Sequence, residues 1–477
     1  MVRMLSRLNR KQLKGFQSYL ACDLFNTNAT LEKLCDYLLA NALNNSEKPL
    51  LDFKMTEDLG LSTKIHDKLF SQLLQHLNRF VYMWSNRDKL TSEYAETFQF
   101  WMNHDLEPEL LEREYRKMKR KVSREPASES DILHHLQLEH QYAIHRTFQP
   151  RKGQANLFAT HHELLDHYYW LTKLKYLCAS VNAAQIFRRP IQQIPFEVPK
   201  TILQQFPAIG LAYYRTYHLL REAKPEFIAA QEQFEFLEKF GKQFSVEDQR
   251  NLYGFLLTVS SLGMNQGKGR FESLILEIYD ASLKGGFLIQ HGKISPAHFK
   301  NIVSLKSRMG KLEETSAFIK KYQGFLPSTD KKELLAYCWG LLAFYEKNYE
   351  ESIAKFRTII SSSPEDLFWG LEARNMLWKA YFEGGENLGF AEKDEMLKLY
   401  HSFRLYVKRN SRVSDHFKTC YENFILIFNQ LIRTDERGHW ASSKEEFEAL
   451  LAETQQSNAL MHKKWLVEAI QRKIASF

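Results

Sequence analysis

Hydrophobic residues in this chain recur at three- and four-residue steps, in paired segments joined by short polar turns. The clearest pair is Glu333–Pro364, ELLAYCWGLLAFYEKNYEESIAKFRTIISSSP. Its first half, Leu334–Tyr345, is apolar almost all round, the pattern of a helix buried between neighbours. Its second half carries Tyr349, Ile353, Phe356 and Ile360 on one helical stripe. Lys347-Asn348 supplies turn chemistry between them, and Pro364 ends the second helix because proline cannot continue it. Gly340, lacking a Cβ, predicts a close approach of the two helices.

The segment before it repeats the pattern. A shift of 37 residues places Gly310 on Lys347, Leu312 on Tyr349, Thr315 on Ser352, Ile319 on Phe356 and Pro327 on Pro364. A hairpin of this kind cannot bury its apolar face alone, so neighbours must stack on it. With Gly340, Tyr349, Phe356 and Pro364 in place, the unit resembles a tetratricopeptide repeat, a helix–turn–helix of about 34 residues. It departs from that pattern at Ala343, Ser352 and Ile359. More broadly, segments 165–182, 295–327 and 336–356 resemble an all-helical, repeat-containing bacterial family of unknown function, along most of the chain. That resemblance implies a helical solenoid and brings no activity or functional residue with it.

The same periodicity predicts helices throughout. Residues 1–88 read as an N-terminal helical bundle, with stripes at Leu13/Phe16/Leu20, Leu31/Leu34/Leu38 and Leu69/Leu73/Leu77/Phe80 and a cap at Asn28 or Thr30. Residues 89–187 continue as helical hairpins, among them Asp131–Thr147 and Ala159–Ala184. Residues 188–207 hold four of the twelve prolines and form a Pro-rich connector. Residues 208–435 are expected to be tetratricopeptide-like repeats, with helix pairs such as Ala208–Arg221 with Pro225–Phe240, and Pro296–Arg308 with Leu312–Phe325. Residues 436–477 are expected to be capping helices. The expected fold is therefore all-α: a right-handed α-hairpin solenoid after an N-terminal helical region.

Composition adds limits. Gly 20 and Pro 12 are few for 477 residues, which favours helix. A net charge of +8 permits acidic partners and demands none. The five cysteines are scattered, with no CxxC, as in a reducing compartment. The start MVRMLSRLNRKQLKGF has no apolar core of a secretory signal, and no apolar run approaches a membrane span. A cytoplasmic location follows as the expectation, with no membrane partner.

Several segments carry residue types that could do chemistry. Seven of the 17 histidines lie between His134 and His167, where His135 and Glu139 sit one turn apart and HELLD (162–166) falls short of HExxH. The plainer reading is a solvated polar face, so no metal or cofactor is predicted. Arg113–Arg124 carries seven basic residues, interleaved with Glu114 and flanked by Glu112 and Glu125, as on an outer helix face. Residues 55–74 resemble a helix-turn-helix around Gly60, but the second helix is apolar at Leu69, Phe70, Leu73 and Leu74, where a base-reading helix needs polar side chains. GMNQGKGR (263–270) lacks the spacing and the hydroxyl residue of a phosphate loop. No catalytic phrase is found, so no enzyme is predicted.

The function these features favour is protein or peptide binding by the concave face of a helical-repeat solenoid. The alternative is a nucleic-acid-binding regulator, with residues 1–88 reading DNA and the solenoid sensing a ligand. Carried residue by residue, the tetratricopeptide resemblance implies a groove lined by Lys300, Ser304 and Arg308, then Tyr337, Leu341 and Phe344, then Asn375 and Lys379. The three apolar positions read equally well as core. The three cations would favour an acidic peptide or a C-terminal carboxylate.

Overall fold

The structure, a computed structural model, describes residues 2–42, 63–86, 93–104, 106–122, 126–147, 158–186, 196–265, 269–329, 331–362, 367–384, 390–409, 415–432, 443–457 and 459–477. Among these residues the protein is helical apart from one two-stranded hairpin. It divides into two compact units, Met1–Leu177 with Gln193–Tyr214, and Cys178–Gln192 with Arg215–Phe477.

In the first unit, helices α1 (Val2–Leu5), α2 (Arg10–Leu20), α3 (Ala29–Ala42) and α4 (Thr63–Asn86) share a core around Phe16, Leu20, Leu34, Leu38 and Leu73. A capping box opens α2: the Asn9 side chain accepts from the Gln12 amide and the Gln12 side chain accepts from the Asn9 amide, both at 2.9 Å. Asn28 acts as the expected cap of α3, accepting from the Thr30 amide at 3.1 Å. A second core, around Phe98, Leu111, Tyr115, Leu138 and Tyr142, joins α5 (Tyr94–Asn103), α6 (Pro108–Val122) and α7 (Glu129–Thr147). Next along the chain are α8 (Ala159–Ile186), α9 (Lys200–Gln205) and α10 (Ala208–Arg221). Of the proline-rich connector, residues 188–195 lie outside the described residues.

The second unit continues with α11 (Phe227–Phe240), α12 (Val246–Asn265), α13 (Arg270–Lys284), α14 (Pro296–Arg308) and α15 (Leu312–Tyr322). Helices α16 (Lys331–Tyr345), α17 (Tyr349–Ser362), α18 (Leu367–Glu383), α19 (Phe390–Arg409), α20 (Asp415–Leu431), α21 (Lys444–Gln456) and α22 (Lys463–Ile474) follow. Consecutive helices pack as hairpins, and helices two apart also touch: α14 lies on α16, and α16 on α18. Periodicity missed the short elements: α9 lies inside the expected connector 188–207, and a hairpin follows α13. Between α13 and α14, strands β1 (Ile289–Gln290) and β2 (Lys293–Ile294) pair antiparallel through a two-residue turn. His291 and Gly292 both have positive φ there, 49° and 71°, as a primed turn requires. Two-residue strands are too short to leave an alternating pattern.

Two turns 37 residues apart share their backbone geometry. Gly310 (φ 76°) and Lys347 (φ 62°) hold corresponding left-handed positions after α14 and α16. At the first turn Gly310 donates to Ser307 and Lys311 to Lys306, each at 3.0 Å. At the second Lys347 donates to Phe344 at 3.1 Å and Asn348 to Ala343 at 2.9 Å. Both are Schellman caps, which satisfy carbonyls that a helix end leaves unpaired. The following helices start in register, at Leu312 and Tyr349, and bury Thr315 and Ile319 against Ser352 and Phe356 as counterparts. Gly340 has the close neighbour its lack of a side chain predicts: a Cβ there would lie 3.0 Å from the Lys355 Cβ and 3.1 Å from the Phe356 ring.

One prediction arises here. A left-handed L-residue costs about 1–2 kcal/mol and glycine does not pay it. Lys347 is exposed, so Lys347→Gly is expected to raise stability by about 0.5–1 kcal/mol while Gly310→Ala lowers it by a similar amount, both read from urea midpoints.

Candidate functional site

Helix α18 is buried, yet Glu372, Asn375, Lys379 and Glu383 run along it at three- and four-residue steps, a polar stripe inside the second unit. Each end is held. The Glu372 carboxylate accepts from the Tyr421 hydroxyl at 2.8 Å and from the Tyr337 hydroxyl at 3.4 Å. Glu383 accepts from both terminal nitrogens of Arg472, at 2.8 and 2.6 Å, and from the Trp465 indole at 2.9 Å. Between them the Lys379 ammonium lies 4.8 Å from the centre of the Trp465 ring, a cation–π contact. Helices α16, α18, α20 and α22 therefore converge on one polar layer within an aromatic surround, where Trp378 meets Phe428 edge-on at 4.4 Å.

The charges in this layer act on one another. Burial pushes the Lys379 amine down to about 7, against the pull of Glu372 and Glu383 and with help from Arg308. Burial likewise holds His462 well below its ordinary range, and the positive charges of Lys379, Arg308 and Lys300 add to this. Burial, then the Glu372 charge, raise the Tyr337 and Tyr421 hydroxyls. Both side-chain atoms of Asn375, the Trp378 indole nitrogen and His462 Nε2 are buried without a hydrogen-bond partner among the described residues.

The sequence-derived groove residues fall as follows. Lys300, Ser304 and Arg308 share one face of α14; the first two are half-buried and Arg308 is exposed, paired with Glu272 at 3.1 Å. Tyr337, Leu341 and Phe344 share a face of α16 and are buried, as are Asn375 and Lys379 on α18. The cations come within electrostatic reach of His462. Sequence reasoning did not single out Glu372, Tyr421, His462 or Trp465. Glu372 had a signal, one turn before Asn375 in the same stripe. His462 had none, because its left-handed backbone (φ 50°) at the start of α22 places it and leaves no trace in composition.

Glu139 accepts from the Tyr115 hydroxyl at 2.8 Å and pairs with Lys119 at 2.8 Å and His135 at 3.4 Å. Burial pushes its carboxyl up, but those three partners outweigh burial and hold it at about 2. Among the described residues no group of three or more His, Cys, Asp or Glu side chains is placed to hold a metal ion. In the basic run, Arg116 pairs with Glu112, Lys117 with Glu114 and Lys119 with Glu139; Arg124 lies outside the described residues. Gly60 also lies outside them, and the helix after it buries Leu69, Leu73, Leu77 and Phe80 in the N-terminal core. Of GMNQGKGR, residues 266–268 are outside the described residues, and helices α12 and α13 flank them.

No helix among the described residues is long and apolar enough to cross a membrane. Comparison with protein-family models, with curated proteins and with solved structures gives no match to this chain.

Proposed function

We propose that this protein is a non-enzymatic scaffold, a tetratricopeptide-like α-hairpin solenoid that binds a short acidic segment of a partner protein along the face shared by α14, α16 and α18. The observation that carries the reading is the row of Lys300, Ser304 and Arg308 on one face of α14, with Arg308 exposed, and the Lys379 amine two hairpins on acts with the two cations on His462. Duplicated turns at Gly310 and Lys347 support the repeat architecture.

A partner engages first at the Lys300–Arg308 end, because Arg308 is exposed whereas Lys379 is covered by Trp465. The Arg308–Glu272 pair is no obstacle. Surface pairs of this sort contribute about 0–1 kcal/mol, so an incoming carboxylate displaces Glu272 at small cost. The test is capture by immobilised peptides ending in acidic residues with a free carboxylate. Double charge reversal, Lys300→Glu with Arg308→Glu, is expected to abolish capture that the parent shows. Equal capture by the parent and the double variant discards the reading.

A further inference from the structure

Gly254 stands in the middle of α12, a position where glycine weakens a helix. A mid-helix glycine ordinarily admits a close neighbour, as Gly340 does. At Gly254 an added Cβ would meet nothing within 4 Å. The space beside it is a cavity of about 300 Å³, the lower end of the range for small-molecule sites. One face of α12, made of Arg250, Tyr253, Gly254 and Leu257, forms a wall of that cavity.

Its charged groups are cationic, and burial holds His298 beside them below its ordinary range. Arg250, Lys293 and His298 line it, and no Asp or Glu does. The Arg250 Nε donates to the Phe287 carbonyl at 3.2 Å, which orients the guanidinium. The tight β1–β2 turn brings in Lys293. His298 Nδ1 lies 3.3 Å from the Tyr279 hydroxyl. Ser295 and Pro296, the start of α14, complete this end. Pro296 brings no amide and the Phe299 amide bonds the Ser295 carbonyl, but the Ser295 side chain makes no capping bond, so the Ala297 and His298 amides keep their donors at the positive end of a 13-residue helix.

The opposite wall is apolar, built from Leu257, Phe287 and Ile294. Tyr253 belongs with them, because Glu238 takes its hydroxyl at 2.5 Å and leaves the ring as its contribution.

We infer that this cavity binds a small organic anion, one carboxylate or phosphate group carried on an aromatic or similarly compact apolar body. The anionic group sits between Arg250, Lys293, His298 and the α14 amides, and the body lies over Gly254 against Leu257 and Phe287. The site is separate from the groove proposed above and stands without it.

The test uses the full chain, with benzoate and phenyl phosphate as probes and benzyl alcohol and inorganic phosphate as controls, read by ligand-observed NMR and thermal shift. Benzoate or phenyl phosphate is expected to bind, and the one that binds better tells carboxylate from phosphate. Arg250→Gln with Lys293→Gln is expected to weaken binding about tenfold or more, since each supplies a charge-assisted bond. Gly254→Leu fills the cavity and is expected to abolish binding. Gly254→Ala, which only extends a helix-favouring side chain into open space, is expected to keep or raise Tm, so loss of binding at this position is read on a folded chain. Binding of benzyl alcohol as tight as that of benzoate, competition by inorganic phosphate equal to that by phenyl phosphate, failure of both aromatic anions to bind, or indifference to the Arg250/Lys293 change would each overturn the assignment.

Discussion

Replacing Glu372 with alanine is expected to destabilise the protein by about 3–5 kcal/mol, the cost of removing one partner from a buried polar pair. Glu372 is 7% exposed and serves three groups at once. It accepts from the Tyr421 and Tyr337 hydroxyls and is the largest anionic influence on Lys379. Truncation strands two buried phenols and removes the counter-charge of a buried amine, while the apolar area lost is small. Glu372→Gln keeps an acceptor oxygen for the tyrosines and is expected to cost distinctly less. Urea midpoints of the two variants, with Tyr421→Phe and Tyr337→Phe as cycle partners, read the coupling directly. A loss of under about 1 kcal/mol for the alanine variant would mean that water already solvates this layer and that the network does not hold α16, α18 and α20 together.

The helices were legible because each has a one-sided or wholly apolar pattern and a recognisable stop. Pro296–Arg308 and Ala208–Arg221 have in the structure the bounds their periodicity predicts. The β1–β2 hairpin was not, since two residues per strand leave no alternation to read. The capping box at Asn9 stands in the sequence as Asn and Gln three residues apart, just before the Leu13/Phe16/Leu20 stripe. The polar layer was half legible. Asn375 and Lys379 could be placed by repeat register, and Glu372 by its spacing. Tyr421, His462 and Trp465 come from residues 40 to 90 positions further on, and only tertiary packing brings them to α18. The cavity at Gly254 shows the same limit. A glycine in a helix says that something is special, and only the structure says whether the space beside it is filled, as at Gly340, or open.

Lys379→Met is expected to remove a pH dependence of stability that the parent has. The Lys379 amine titrates at about 7 when folded and at 10.5 otherwise. Between those values the unfolded chain holds one more proton than the folded one, so stability rises with pH at up to about 1.4 kcal/mol per unit. Below pH 7 both states are charged and the whole cost of burying the ammonium is felt. Methionine fits the same stem, keeps contact with the Trp465 ring and leaves Glu372 with its two tyrosines, so its stability curve should be flat where the parent's climbs. Other groups in the layer bound the window. His462 is held neutral and matters only below its ordinary value of 6.5, where stability falls as pH drops. The Cys338 thiol and the Tyr337 and Tyr421 hydroxyls are pushed up, from 9.0 and 10.0, so they add stability that is lost only above those values. Denaturation midpoints at pH 7, 7.75 and 8.5 thus isolate Lys379. Parallel parent and variant curves across that interval would show that the amine is solvated and charged in the folded protein, and that the cation facing His462 is an ordinary one.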